Sequence, residues 1–175
     1  EFRIVDPDSL EPIVSGEDGL ILIGGPQIMK GYLKMPEKTA EVIEIIDGYR
    51  WYRTGDKGHL DDDGFLTIVD RYSRFAKIGG EMISLTTVEE EILDVWNDKE
   101  LEVAATCLPD QRKGEKIVLL ATSELDKDKL KKLLSDANIN PLFYPSKVLV
   151  VDEIPKLGSG KTDFGATKKI ALTND

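Results

Sequence analysis

The most specific chemistry in the sequence is carried by Lys161, at the end of Pro155-Lys156-Leu157-Gly158-Ser159-Gly160-Lys161-Thr162. A lysine behind glycines invites comparison with the phosphate-binding loop G-x-x-x-x-G-K-[ST]. Gly160, Lys161 and Thr162 match, but Pro155 stands where the first glycine is required. Proline has a fixed φ and no N–H to offer an anion, so the wrapped cradle of backbone donors cannot form. Asp163-Phe164-Gly165 also opens a helix poorly. What remains is a flexible Gly-Ser-Gly loop presenting one ammonium, which suits a lysine carried to an anion by movement.

A second candidate is Asp56, which closes Trp51-Tyr52-Arg53-Thr54-Gly55-Asp56. A carboxylate at a strand end beside a glycine turn can accept two hydrogen bonds from vicinal hydroxyls such as a ribose diol. Taken alone, an ordinary surface-turn aspartate is the better reading. Asp61-Asp62-Asp63-Gly64 suggests a calcium loop, but with Gly64 at the sixth position the first and twelfth ligands fall on His59 and Asp70. That loop wants Asp and Glu there, so the segment reads as a solvated turn. His59 has no second His, Cys or triad partner nearby and reads as structural. Cys107, inside Val103-Ala104-Ala105-Thr106-Cys107-Leu108, reads as a buried strand residue. A lone cysteine excludes an intrachain disulfide and fits a reducing compartment.

These groups need a scaffold. Leu20-Ile21-Leu22-Ile23 predicts a short buried strand closed by Gly24-Gly25-Pro26. Pro36-Glu37-Lys38-Thr39 predicts a helix start running on to Ile46. Short strands follow around 51–53, 58–60 and 65–69, the last two joined as a hairpin through 61–64. A helix is expected from Thr86/Thr87, with Val88, Ile92, Leu93 and Trp96 on one face. Strands at 102–108, 116–122 and 147–151, a helix over 126–137 burying Leu130, Leu133 and Leu134, and a short helix after Asp163 complete the reading. The expected fold class is α+β: a small antiparallel β subdomain over 1–70, then a compact α+β domain over 71–175 with a central sheet flanked by helices.

Composition agrees with that division. The chain has 175 residues, 41% hydrophobic, and a net charge of −10. Residues 1–70 hold 7 Lys/Arg against 15 Asp/Glu, and 71–175 hold 16 against 18. No basic face is available to neutralise phosphates, which argues against a nucleic-acid partner. No apolar run approaches the roughly 18–20 residues that span a bilayer. The chain opens Glu1-Phe2-Arg3 in mid-pattern, and the expectation is a piece of a longer protein.

Four segments in order resemble the adenylate-forming superfamily of acyl-CoA synthetases, peptide-synthetase adenylation domains and luciferases. Gly24 to Thr39 resembles its G-x-x-x-x-x-G-Y-x-x-x-P-E-x-T signature, and Tyr52 to Asp56 its Y-R-T-G-D signature. Asp70-Arg71 with Ala76-Lys77-Ile78-Gly79-Gly80-Glu81-Met82-Ile83 resembles its hinge motif, and 155–161 its final motif. The resemblance implies that Asp56 and Arg71 bind the AMP ribose and that Lys161 is the adenylation lysine. It also implies that the chain swivels over 70–74, about Ser73, and that the Lys77–Ile83 strand, with Lys77 and Gly80, forms the thioester-making face. The departures are Asp70 for Gly, Ser73 for Asp or Lys, and Glu81-Met82 for an aromatic and Arg.

Segments 74–85 and 157–164 are most similar to a subgroup, the bifunctional acyl-carrier-protein synthetases/2-acylglycerophosphoethanolamine acyltransferases. That resemblance implies a parent enzyme using ATP and Mg to convert a fatty acid to acyl-AMP and then to a thioester with acyl carrier protein. A lysophospholipid would be a further substrate in phospholipid repair. The parent would be cytoplasmic, associated with a bacterial inner membrane through segments outside this chain. The upstream phosphate loop and acyl pocket are not in this sequence, so the chain alone is expected to be inactive and to hold no cofactor tightly. The alternatives are a CoA-dependent acyl-CoA synthetase and a non-catalytic binding module.

Overall fold

The apolar run Leu20–Ile23 lies at the centre of the first of two sheets in a computed structural model of the protein, which describes residues 1–175. Contacts divide the chain into two units, Glu1–Ser73 and Arg74–Asp175. The first is built from β1 (Phe2–Val5), β2 (Gly19–Gly24), α1 (Pro36–Ala40), β3 (Ile43–Ile46), β4 (Tyr49–Leu60) and β5 (Leu66–Arg71). Its sheet runs β1-β2-β4-β3, with β5 also paired to β4, and every pairing is antiparallel. Having neighbours on both sides, β2 is buried almost throughout and carries apolar residues on both faces. Val5, Leu20, Leu22 and Trp51 form the core, with Leu10, Ile46 and Tyr72 packed against it.

Two expectations for this unit are corrected. The helix that begins at Pro36 stops at Ala40, and Ile43–Ile46 pairs with β4 instead. The β-branched residues Val42, Ile43, Ile45 and Ile46 prefer a pleated surface, which outweighs a helical continuation. The expected strands at 51–53 and 58–60 are one long strand, β4, which absorbs register shifts against β2 and β5 rather than breaking. At the following turn, Asp61 Oδ1 accepts the N–H groups of Asp63 (3.0 Å) and Phe65 (2.8 Å), so this carboxylate serves the turn itself.

The second unit contains β6 (Phe75–Ile78), β7 (Glu81–Ser84), α2 (Leu85–Trp96), β8 (Val103–Asp110), β9 (Gly114–Ala121), α3 (Lys127–Asp136), β10 (Lys147–Val150) and α4 (Phe164–Thr173). Central strand β9 pairs antiparallel with β8 and, at one position, with β6; it pairs parallel with β10. Strand alternation sends Ala105, Cys107, Ile117, Leu119 and Ala121 to one core, shared with Val88 and Ile92 of α2 and Leu130 and Leu134 of α3. Ala104, Leu108, Val118 and Leu120 turn to the opposite core, against Ala171 of α4 and Ile154. The fold class is α+β, as the sequence predicts.

Helix starts follow the capping chemistry of the sequence. Ser84 Oγ accepts Thr87 N–H at the start of α2, two residues before the expected start. Asp126 Oδ1 accepts Lys129 N–H at α3. Asp163-Phe164-Gly165, expected to open a helix poorly, does open α4, because Asp163 is its cap and its Oδ1 accepts Ala166 N–H at 3.0 Å. Replacing Asp163 by Ala should therefore cost about 1 kcal/mol locally. Amide exchange in α4 should accelerate roughly fivefold, measured against unchanged exchange in α2.

Candidate functional site

Thr54, Gly55 and Asp56 have separate tasks. Thr54 Oγ1 donates to Ile21 O (2.8 Å) and accepts Asp56 N–H (3.0 Å), fixing this bulge of β4 to the neighbouring strand. Gly55 adopts φ +76°, a left-handed conformation that costs glycine little. This bulge in β4 aims Asp56 across the β4–β5 ladder at its register partner Arg71, and Arg71 Nε lies 3.0 Å from Asp56 Oδ1. The arginine side chain is 67% exposed and the aspartate 23%. Exposed pairs of this kind add little to stability. Their geometry is suited to ligand binding: a carboxylate that accepts from a diol, beside a guanidinium that offers spare donors.

Tyr32, Thr39 and Tyr52 enter the same region, and none was singled out as a site residue. Tyr52 shares a hydrogen bond with Tyr32, and burial together with that bond raises its phenol pKa. The charges of Arg71 and Asp56 also act on Tyr52. Tyr32 is delivered by the signature segment: Thr39 Oγ1 accepts Tyr32 N–H at 2.9 Å and donates to Met35 O at 2.9 Å. A Cβ on Gly31 would stand 2.6 Å from Thr39 Cγ2, so a glycine is required at that approach. The signal was the spacing from Gly31-Tyr32 to Pro36 and Thr39, which explains itself only once the chain folds back on itself. Arg53, inside the same signature, is structural: it reaches Glu44 Oε1 (3.1 Å) and Pro7 O (2.9 Å).

His59 has a partner that sequence proximity did not reveal. Its Nδ1 lies 2.8 Å from Asp18 Oδ1, and that contact, chiefly, holds the Asp18 carboxyl below its ordinary pKa, with Lys57 assisting. No third group completes a relay, and the arrangement is a surface ion cluster.

Lys161 belongs to the second unit, where it is exposed and forms no ion pair. The loop that carries it is not slack, contrary to expectation. Leu157 N–H donates to Lys161 O (2.7 Å), Gly160 N–H to Leu157 O (2.8 Å) and Asp163 N–H to Pro155 O (2.8 Å). Lys156 and Thr162 form an isolated antiparallel bridge. The backbone is thus a closed turn, and mobility is left to the lysine side chain. The expected Lys77–Ile83 strand is also corrected. It is a hairpin, β6–β7, in which Lys77 opposes Met82 across a Gly79-Gly80 turn. Glu115 Oε2 accepts Lys77 N–H at 2.6 Å, and Gly79 N–H donates to Lys113 O at 2.8 Å. Lys77 and Gly80 are both exposed at this rim.

Ser73 falls in a single 3-10 turn, Tyr72–Arg74. Tyr72 packs on the first unit's core, Arg74 is buried in the second, and Ser73 is exposed. Cys107 is buried as expected. Burial first, and then its contact with Glu115, push its thiol pKa up to about 11, which keeps it protonated and unreactive. The chain gathers no group of three or more His, Cys, Asp or Glu able to hold a metal ion. No helix is long and apolar enough to cross a membrane.

No family model matches the chain. It is 38% identical over 167 residues to 4-coumarate–CoA ligase 1 of Arabidopsis thaliana, covering 92% of this chain and 28% of that protein. It is 37% identical over 155 residues to 2-succinylbenzoate–CoA ligase of Listeria monocytogenes, covering 87% and 32%. The crystal structure of ATP-bound MatB from Rhodopseudomonas palustris matches it with a TM-score of 0.78 at 26% identity, over 97% of this chain and 33% of that one. The chain therefore spans about a third of the length of the proteins it matches.

Its α+β fold matches the C-terminal domain of adenylate-forming enzymes, and the similarities support that superfamily for this chain. Within it, the sequence relatives named here are CoA ligases, that is, ATP-dependent acid–thiol ligases. The carrier-protein synthetase/acyltransferase subgroup is not among them.

Proposed function

We propose that this chain is the nucleotide-holding strap and the adenylation lid of an acid–CoA ligase that uses ATP. The observation that carries the reading is the Asp56–Arg71 pair at 3.0 Å, presented by the Thr54-Gly55 bulge of β4. The exposed Lys161 on its closed turn supports the same reading. In the first half-reaction the substrate carboxylate attacks the α-phosphate of ATP, forming the acyl–phosphate bond as pyrophosphate leaves. Asp56 accepts from the ribose hydroxyls, and Arg71 donates to the nucleotide, fixing it for in-line attack. Two anions crowd together at that barrier. The Lys161 ammonium donates to both, stabilising the developing charge without accepting or giving a proton. In the second half-reaction the CoA thiolate attacks the acyl carbonyl and AMP departs, with Lys77 and Gly80 at the rim where the thiol approaches.

The runner-up thiol is the phosphopantetheine of acyl carrier protein, favoured by the likeness of 74–85 and 157–164 to that subgroup. The test is to assay the full-length enzyme with CoA and with carrier protein as alternative acceptors. With CoA, kcat/KM should exceed that with carrier protein by at least about tenfold, a margin of ~1.4 kcal/mol. The reverse preference would return the chain to the carrier-protein reading, along with a fatty acid substrate and a lysophospholipid acceptor. Lack of either activity, with nucleotide still bound, would favour a binding module.

A further inference from the structure

Arg74 is a charged residue only 4% exposed, and a charge so placed needs full compensation. Its Nη1 donates to Ala105 O at 2.8 Å, and its Nη2 lies 2.7 Å from Glu89 Oε2. The other oxygen of Glu89 accepts Ala105 N–H at 2.6 Å. One hydrogen bond, one ion contact and the Glu89–Ala105 bond thus tie the head of β6 to α2 and β8, while Arg74 Nε and Nη2 are buried without a hydrogen-bond partner. Against this fixed cation lies the ring of Phe164, its centroid 3.8 Å from Arg74 Cζ. Phe164 is the first residue of α4, three positions after Lys161.

We propose that Phe164 is a positioning residue for Lys161. Stacked on a buried guanidinium held by Ala105 O and Glu89, it fixes the first turn of α4. Through the Asp163–Pro155 bond and the Lys156–Thr162 bridge, it thereby fixes the turn that presents the ammonium. This inference rests on the reading of Lys161 as the adenylation lysine. A merely structural ring would serve only as apolar cover over α4, which is already capped by Asp163 and anchored by buried Thr167 and Ala171. Leucine supplies such cover, but it lacks the electron-rich face that attracts the buried Arg74 cation, an attraction that acts here although Phe164 itself is 41% exposed.

The test compares Phe164→Leu, Phe164→Tyr and Lys161→Ala in the full-length enzyme. Phe164→Leu should lower kcat for ATP–pyrophosphate exchange roughly tenfold. KM for ATP should stay unchanged, because Asp56 and Arg71 are untouched, and thioester formation from supplied acyl-adenylate should keep its rate. Phe164→Tyr, which keeps the aromatic face, should restore exchange. In the 175-residue chain, Phe164→Leu should also speed amide exchange at Leu157, Gly160 and Asp163, a readout independent of activity. Wild-type exchange kinetics in Phe164→Leu, alongside a crippled Lys161→Ala, would overturn the positioning role and leave the adenylation reading intact. An active Lys161→Ala would sink the adenylation reading itself. Equal loss of both half-reactions with a lowered Tm, not rescued by tyrosine, would reduce Phe164 to a structural residue and also overturn the proposal.

Discussion

Replacing Lys161 by alanine in the full-length enzyme should lower ATP–pyrophosphate exchange by a factor on the order of 10²–10³, the usual consequence of losing one preorganised donor at a developing charge. Several structural facts make this a clean substitution. The side chain is exposed and unpaired, so its removal leaves no orphaned partner. The turn is held by backbone bonds of Leu157, Gly160 and Asp163, none of which uses the ammonium. Stability should therefore stay within about 0.5 kcal/mol of wild type, as for an ordinary surface change, and the loss belongs to the reaction. Thioester formation from supplied acyl-adenylate should be nearly unaffected, because the anionic crowding has already been resolved by then. The decisive measurement is the ratio of the two half-reactions. An equal fall in both would show that Lys161 does not act at adenylation alone.

The sequence made local chemistry visible and left assembled chemistry hidden. Thr54, Gly55 and Asp56 are consecutive, so a carboxylate beside a glycine was visible, but alone it read as an ordinary surface aspartate and its ribose role came from the resemblance. Lys161 stood out locally because its neighbours are small and Pro155 excludes a phosphate cradle, but its adenylation role came only from the resemblance of 155–161 to the family's final motif. Contacts between distant residues were not legible. The Asp18–His59 contact, the Tyr32–Tyr52 bond and the stack of Arg74 on Phe164 have no local periodicity or motif to announce them. The fold shows the same division. Continuous apolar runs marked β8 and β9, and capping residues marked three helices to within two residues. The stretch after Ala40 was misread because a strand's identity there depends on β4 as its partner. The thiol acceptor is weighed differently by short and by long stretches of likeness. The short likeness at 74–85 and 157–164 pointed to carrier-protein synthetases, whereas similarity over most of the chain runs to CoA ligases.

Ser73→Pro tests the proposed swivel most directly. The 3-10 turn Tyr72–Arg74 has one residue committed to each core and one committed to neither. Tyr72 packs with Val5, Leu20, Leu22 and Trp51, while Arg74 is locked to Glu89 and Ala105. Rotation of the second unit as a body would have to leave both anchors in place, which confines the backbone change to the link around Ser73. That is narrower than the expected span of 70–74, because moving Arg74 would break its buried ion pair at a cost of about 3–5 kcal/mol. Proline at 73 accepts the φ of a 3-10 turn but disfavours the helical region for the preceding Tyr72. It should therefore depress the turn conformation seen here relative to an extended alternative. Ser73 is exposed, so neither core loses a side chain and the Tm should hold. If the two half-reactions need different backbone conformations at this link, one should fall by an order of magnitude or more, ~1.4 kcal/mol at least, while the other survives. Pyrophosphate exchange and transfer from acyl-adenylate, measured separately on the same preparation, give the answer. Wild-type rates for both would mean that the units do not swivel about Ser73. Equal losses in both, at an unchanged Tm, would mean that this link sets a geometry common to the two steps rather than a switch between them.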